Sequence, residues 1–326
     1  MSSEPSRPPL RSLLFVPGTR TEWLPKARAA GADAVILDLE DAVPQDGRAA
    51  ALDRVAESVA RAADDGPALF VRINPLDGWQ AAGELRAVAR AGLAGIVLPK
   101  VTGPEDVHHA DRLIGWCERE QGLPPGRIAL LPLLETARAL REAYECAAAA
   151  ARVAYPGAAT GAGGDVERAV GYRWSPAGTE THALRARVLL DVRAAGAPHP
   201  VTGLWTRVGD LDGLRACAEQ NRALGYAGML AIHPSHVPVI NEVFSPGPEE
   251  LDRAARLVAA VEEAQARGAG AVAFEGEMAD EAMAATARAL LERYGDARAT
   301  TPRTGRRHVA VPDSVTCGRP TGGGTP

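Results

Sequence analysis

The stretch Ala34-Val-Ile-Leu-Asp-Leu-Glu-Asp41 begins as a buried strand and ends in three carboxylates. Its first half is Val, Ile and Leu without alternation, the pattern of a strand covered on both faces in a parallel sheet. Gly31 and Ala32 precede it and Pro44 closes it, which bounds it as a strand and not as part of a helix. Acids on the end of a buried strand are costly unless something cationic meets them. Successive strand side chains alternate, so Asp38 and Glu40 are expected on one side and Asp41 on the other. If that side is a lumen, Glu40 sits at its mouth and Asp38 one layer below.

Similar apolar runs recur on both sides of this stretch. Leu10 to Pro17, 68–74, 95–100 and 127–135 read as strands, each followed by a helical pattern at intervals of roughly 30 residues. The helix after the first strand is expected to turn Trp23 and Leu24 inward, with Thr21 as its cap. An Ala-rich helix is expected after 127–135, to about Ala151. A weak sixth strand is expected within 151–164, ending at Asp165. The seventh lies at 198–205 and the eighth at 228–234. Eight βα units with continuous apolar strands point to an α/β fold, a closed (β/α)8 TIM barrel. The expected organisation is a mobile leader over 1–9, the barrel over 10–245, a C-terminal helical arm or lid over 246–295, and a disordered tail over 296–326.

Composition narrows the function. A net charge of −5 gives no basic surface for nucleic acid. No apolar run is long enough to span a membrane, and Met1 to Pro9 has no apolar signal core. Cys117, Cys146, Cys217 and Cys317 form no CxxC pair. They are expected as reduced thiols in a cytoplasmic protein. No GxGxxG follows the first strand, which speaks against a dinucleotide site.

In a barrel of this kind the site lies at the C-terminal ends of the strands. Those ends carry Asp38, Glu40 and Asp41, then Arg72 and Asn74, Lys100, Glu135, Asp165 and His233. Glu135 and Asp165 are the metal candidates, since hard oxygen ligands suit Mg2+ and no Cys/His cluster suggests zinc. Glu135 could equally serve only to cap the helix that follows it. Arg72 on an apolar strand either pairs with Glu40 or Asp41, or grips a substrate carboxylate, or does both. His233 is either a base or a buried, satisfied histidine.

Taken together, Arg11-Ser-Leu-Leu-Phe-Val-Pro-Gly18, Leu37-Asp-Leu-Glu-Asp-Ala-Val43, Val71-Arg-Ile-Asn74, Leu98-Pro-Lys100, Leu134-Glu-Thr136 and Leu230-Ala-Ile-His-Pro234 resemble the citrate lyase β-subunit-like (CitE-like) branch of the HpcH/HpaI aldolase superfamily. The resemblance spans about residues 10 to 294. It implies a Mg2+-dependent barrel enzyme, a homotrimer or hexamer, that makes or breaks C–C bonds next to a CoA thioester. The small-molecule partners would be an oxoacid and an acyl-CoA.

By the same resemblance Glu135 and Asp165 hold Mg2+, and Arg72 binds the oxoacid carboxylate or polarises its carbonyl; Glu40 and Asp41 are expected at the catalytic site as partners of Arg72 and, at one remove, of metal-bound waters. Arg11 and Lys100 are expected at the CoA cofactor. Phe274-Glu-Gly-Glu-Met-Ala-Asp280 is similar to the family's lid motif, which makes Asp280 the acid/base, supplied by a neighbouring subunit. The chain departs from the family pattern at Thr160-Gly-Ala-Gly-Gly-Asp165, at Met229 and at Gly47-Arg48. The alternative functions are a thioesterase on a 3-hydroxyacyl-CoA and a non-catalytic barrel that binds CoA esters.

Overall fold

The computed structural model describes residues 7–62 and 65–294. The expected disordered tail lies outside the described residues. The chain divides into two compact units, with the break between Ser245 and Pro246.

The first unit is an eight-stranded parallel barrel. Its strands are β1 Ser12–Pro17, β2 Ala34–Asp38, β3 Ala68–Arg72, β4 Leu93–Leu98, β5 Ala129–Pro132, β6 Gly157–Ala159, β7 Val201–Gly203 and β8 Gly228–Ala231. They run in the order β5-β4-β3-β2-β1-β8-β7-β6. Parallel bridges from Leu130 to Val153 and from Leu133 to Gly157 bring the two outer strands together. Around them lie α1 Leu24–Ala29, α2 Arg48–Ala60, α3 Trp79–Val88, α4 Pro104–Glu120, α5 Ala137–Arg141, α6 Ala143–Ala148, α7 Asp165–Val170, α8 Thr179–Ala194, α9 Leu211–Leu224 and α10 His236–Val243.

The unbroken apolar runs are explained by two cores. One face of the strands fills the lumen with Leu13, Ala34, Ile36, Phe70, Val97, Leu131 and Leu230. The other face, with Val35, Leu37, Val71, Ile96 and Leu130, packs on Val55, Val59, Leu85 and Ile114 of the helices. Phe70 occupies its lumen position because β4 offers Gly95 beside it, where a Cβ would stand 2.3 Å from the Phe70 ring. Truncating Phe70 to Ala would cost about 3–5 kcal/mol.

Several expectations are corrected. β2 stops at Asp38, because the Asp38 carboxylate takes the N–H groups of Glu40 (3.0 Å) and Ala42 (3.1 Å) and turns the chain out of the sheet. Strand alternation therefore does not place Glu40 or Asp41. The Ala-rich helix breaks at Glu142 into α5 and α6. Helices α7 and α10 were not expected. Thr21 caps nothing through its side chain, and Trp23 is 41% exposed instead of inward. Arg7 and Pro8, read as part of a mobile leader, are tied down. Arg7 donates to Gly126 O at 2.8 Å and to Ala151 O at 3.2 Å, and Tyr155 Oη donates to Pro8 O at 2.8 Å.

The second unit contains α11 Pro248–Ala266, a hairpin of β9 Ala271–Phe274 and β10 Glu277–Asp280, and α12 Glu281–Tyr294. Pro248 opens α11 with Glu249 and Glu250 in its first turn, both favourable to a helix N-terminus. The hairpin turn, Glu275-Gly276, has φ values of 50° and 88°, as a two-residue I′ connection requires. Ala254, Leu257, Val261, Ala279, Ala284 and Ala287 form this unit's own core. Among the described residues, no helix is long and apolar enough to cross a membrane.

Candidate active site at the barrel mouth

Asp38 and Arg72 end β2 and β3 at paired positions. They belong to the lumen-facing series 34-36-38 and 68-70-72, so they stand directly on the packed lumen. Arg72 donates through Nε to Asp38 Oδ1 and through Nη2 to Asp38 Oδ2, both at 2.7 Å. Its Nη1 lies 2.9 Å from Glu40 Oε2 and 3.4 Å from Asp41 Oδ2. The approach to Glu40 Oε2 is off the hydrogen-bonding direction, so among the described residues that buried oxygen makes an ion pair but accepts no hydrogen bond. The guanidinium also lies over the Phe15 ring, 5.0 Å from its centroid. Burial alone would lower the Arg72 pKa, but the three carboxylates raise it further above its usual range. With three of five N–H groups engaged, two remain for a ligand.

Lys100 links this cluster to the fifth strand. Its φ is 49°, a left-handed conformation that costs a side-chain-bearing residue roughly 1–2 kcal/mol. The twist sends its backbone N–H to Glu135 Oε1 at 2.6 Å, while its ammonium meets Glu40 and, at 3.1 Å, Asp41 Oδ1. Burial raises the Glu40 carboxyl above the usual carboxylate range, against the pull of Arg72 and Lys100. Burial acts on Asp41 in the same sense, but Lys100 and Arg72 outweigh it and hold the more exposed Asp41 below that range.

Glu135 is buried and does not cap the helix after it. Thr136 does that, its hydroxyl accepting from Ala139 N at 3.1 Å. Burial, and then the charges of Asp165 and Glu40, push the Glu135 carboxyl up to about 7, although the Lys100 N–H and Arg72 act the other way. Asp165 opens α7 and pairs with Arg168 one turn on. The five carboxylates Asp38, Glu40, Asp41, Glu135 and Asp165 outnumber the three cations paired with them, Arg72, Lys100 and Arg168. That imbalance suits a divalent cation bound by two carboxylates with water and substrate oxygens completing its shell. Among the described residues, no group of three or more His, Cys, Asp or Glu side chains converges as a metal cage.

Some expected residues stand elsewhere. Arg11 precedes β1 and so lies at the opposite end of the barrel. Its guanidinium binds Asp33 at 2.7–2.8 Å and Ser245 Oγ at 2.8 Å, and the structure does not bring it together with Arg72 and Lys100. Lys100 spends its ammonium inside the carboxylate cluster and not on a free surface. Asn74 is buried and bonded to Glu84 and Leu39 O, supporting the loop from behind. His233 is exposed and holds Ser235, so it is neither a buried core residue nor paired with a carboxylate. Asp280 lies in the second unit, where its carboxylate accepts from Ala282 N at 3.0 Å and Met283 N at 3.2 Å.

Sequence reasoning missed a group at the mouth end of β1. Arg20 and Lys26 both flank the Trp23 ring, at 5.7 and 6.0 Å from its centroid. The signal was a pair of cations three residues either side of an aromatic, directly after Pro17-Gly18.

Residues 11–234 match the model of the HpcH/HpaI aldolase/citrate lyase family. The chain is a member of the HpcH/HpaI aldolase/citrate lyase family. Within it, the chain is 38% identical over 292 residues to a citrate lyase subunit beta-like protein of Deinococcus radiodurans, covering 86% of this chain and 96% of the relative. It is 34% identical over 284 residues to a (3S)-malyl-CoA thioesterase of Cereibacter sphaeroides, with 87% and 94% covered. Among solved structures it is similar to CitE of Mycobacterium tuberculosis in complex with magnesium, acetoacetate and coenzyme A. That match has a TM-score of 0.68 at 29% identity and covers 88% of this chain and 98% of that one. The CitE-like barrel expected from the sequence is therefore the fold of this family member.

Proposed function

We propose that the chain is a magnesium-dependent carbon–carbon lyase or synthase acting on a 3-hydroxyacyl-CoA of the malyl, citramalyl or citryl type. The observation that carries this is the buried Glu135 carboxyl, raised by burial and by the nearby charge of Asp165, beside an Arg72 cluster whose carboxylates outnumber the cations paired with them. Family membership supports it, as does the M. tuberculosis relative, which takes magnesium, a small oxoacid and coenzyme A together.

Glu135 and Asp165 would hold the metal. Bound there, magnesium supplies Lewis-acid polarisation of the oxoacid carbonyl. Arg72 keeps two N–H groups for the oxoacid carboxylate, and Asp38 fixes its plane. Glu40 and Asp41 hold Arg72 and Lys100 in position. Arg20, Trp23 and Lys26 present two cations and an aromatic face at the rim, a surface suited to the phosphates and adenine of CoA.

In the condensing direction Asp280 accepts a proton from the acyl carbon next to the thioester. The carbanion electron pair then forms the new bond to the oxoacid carbonyl carbon, whose oxygen takes up a proton. In cleavage these steps run backwards, and Asp280 returns the proton to carbon. Asp280 would be contributed by a neighbouring subunit of a homotrimer or hexamer in the cytoplasm, the second unit acting as a lid.

A thioesterase is the second reading, favoured by the C. sphaeroides relative. Asp280 would then activate water and leave the C–C bond intact. Calorimetric titration of Mg2+ into wild type, Glu135→Gln and Asp165→Asn tests the metal assignment. Both variants should lose binding and turnover together; full turnover in either with chelator present would refute it.

A further inference from the structure

Arg185 of α8 is 2% exposed, yet among the described residues no carboxylate lies against its guanidinium. Its partners are neutral. Nε donates to Thr181 Oγ1 at 3.2 Å, Nη1 to Asn221 Oδ1 at 2.5 Å, and Nη2 to Gly178 O at 3.0 Å and to Gln220 Oε1. These bonds occupy N–H groups but cancel no charge, and an uncompensated buried charge is costly. The other buried arginine shows the contrast: Arg152 has both Glu118 and Asp111 beside it.

A second, independent feature lies close by. Trp205 is 1% exposed and, among the described residues, its indole Nε1–H meets no acceptor. The ring cannot turn to find one. A Cβ on Gly213 would stand 2.3 Å from Trp205 Cζ2, and Trp174 packs against the ring with centroids 5.5 Å apart. Buried donors are almost always satisfied, so a fixed orphan points to a missing acceptor. Arg185 and Trp205 line the same small cavity of about 20 Å³, together with Thr160, Thr181 and Cys217. Thr160 begins the loop that leads to Asp165. That loop sits tightly on its neighbour, since a Cβ on Gly161 would be 3.1 Å from Leu204 O.

We propose that this cavity binds a single halide-sized monovalent anion, chloride being the natural occupant, beneath the loop that carries Asp165. The volume admits one solvent-sized guest and is too small for phosphate, sulfate or a substrate carboxylate. The acceptors around Arg185 are already engaged by it, so a guest must accept hydrogen bonds. Water could accept from Trp205 but would leave the guanidinium charge uncancelled, whereas a halide does both. The anion would brace the β6–α7 loop from behind and take no part in the chemistry at the mouth. The inference is independent of the activity proposed above.

Crystals of the full chain soaked in sodium bromide provide the direct test. An anomalous peak inside the cavity, between Trp205 Nε1 and the Arg185 guanidinium, is expected. In solution, Tm should rise saturably with chloride or bromide, measured against gluconate at equal ionic strength. Trp205→Phe removes the N–H and should weaken the apparent halide affinity roughly tenfold, the worth of one charge-assisted hydrogen bond. Arg185→Gln should abolish the halide response. If that variant does not fold, the bromide map and Trp205→Phe still decide. A cavity holding only water in bromide-soaked crystals, or a halide response unchanged in Trp205→Phe, would overturn the proposal.

Discussion

Asp38 and Arg72 hold paired positions on adjacent parallel strands, and two parallel 2.7 Å hydrogen bonds join their side chains. The carboxylate matches the guanidinium fork, and the same carboxylate ends its strand by capturing two N–H groups of the following turn. One residue thus fixes both the plane of Arg72 and the exit path of Glu40 and Asp41.

Asp38→Asn should therefore be more harmful than its distance from solvent suggests. Removing one partner of a buried pair costs about 3–5 kcal/mol, readable by urea unfolding. The KM for the oxoacid should rise with it. Asp41→Asn, at a 56% exposed side chain, should leave stability near wild type.

Glu40→Gln separates positioning from metal binding. Glu40 touches Arg72 and Lys100, so the variant should raise the KM for the oxoacid by more than it weakens Mg2+ affinity. Titrating both ligands into one preparation checks this. A collapse of Mg2+ affinity with KM unchanged would make Glu40 a metal ligand.

Glu135 gives a pH dependence with a definite sign. Its folded value of about 7 lies above the ordinary 4.5. In chelator, the stability this group contributes is complete below pH 4.5 and is lost as pH rises to about 7. Metal binding needs the carboxylate, so Mg2+ affinity should fall roughly tenfold per pH unit below 7. Calorimetry at pH 6, 7 and 8 measures it, and an affinity unchanged across that range would contradict it; the stability dependence in chelator should vanish in Glu135→Gln.

Much of this was legible in the sequence, and the exceptions have physical causes. The barrel follows from strands such as Val35-Ile-Leu37, apolar on both faces because lumen and helices both bury them. The meeting of Arg72 with the acids of β2 also follows, since a lone buried guanidinium demands a partner. That Asp38 is its main partner was hidden, because the sequence does not show the inter-strand register that sets Asp38 opposite Arg72. The left-handed backbone at Lys100 has no composition signal at all, since such conformations normally select glycine or asparagine. Arg11 was misplaced because a motif read as a string does not say which end of the strand faces the site. Arg185 and Trp205 carry no local pattern, their relation arising only when α8 and the segment after β7 pack together.

Under the proposed function Asp280 has two separable roles. Asp280→Asn retains a side-chain oxygen for the α12 N–H groups, so thermal stability should stay near wild type. Turnover should drop by about 10²–10⁴, the usual worth of a positioned acid/base. Asp280→Ala should lose the same activity and also lower the Tm.

The chemistry proposed for this mouth breaks or makes a carbon–carbon bond. The direct measurement is product analysis by NMR after incubating the wild-type protein with a 3-hydroxyacyl-CoA such as malyl-CoA and Mg2+. An oxoacid and the shortened acyl-CoA in equal amounts are expected, and chelator should abolish both. Free hydroxyacid and CoA as the only products would contradict it.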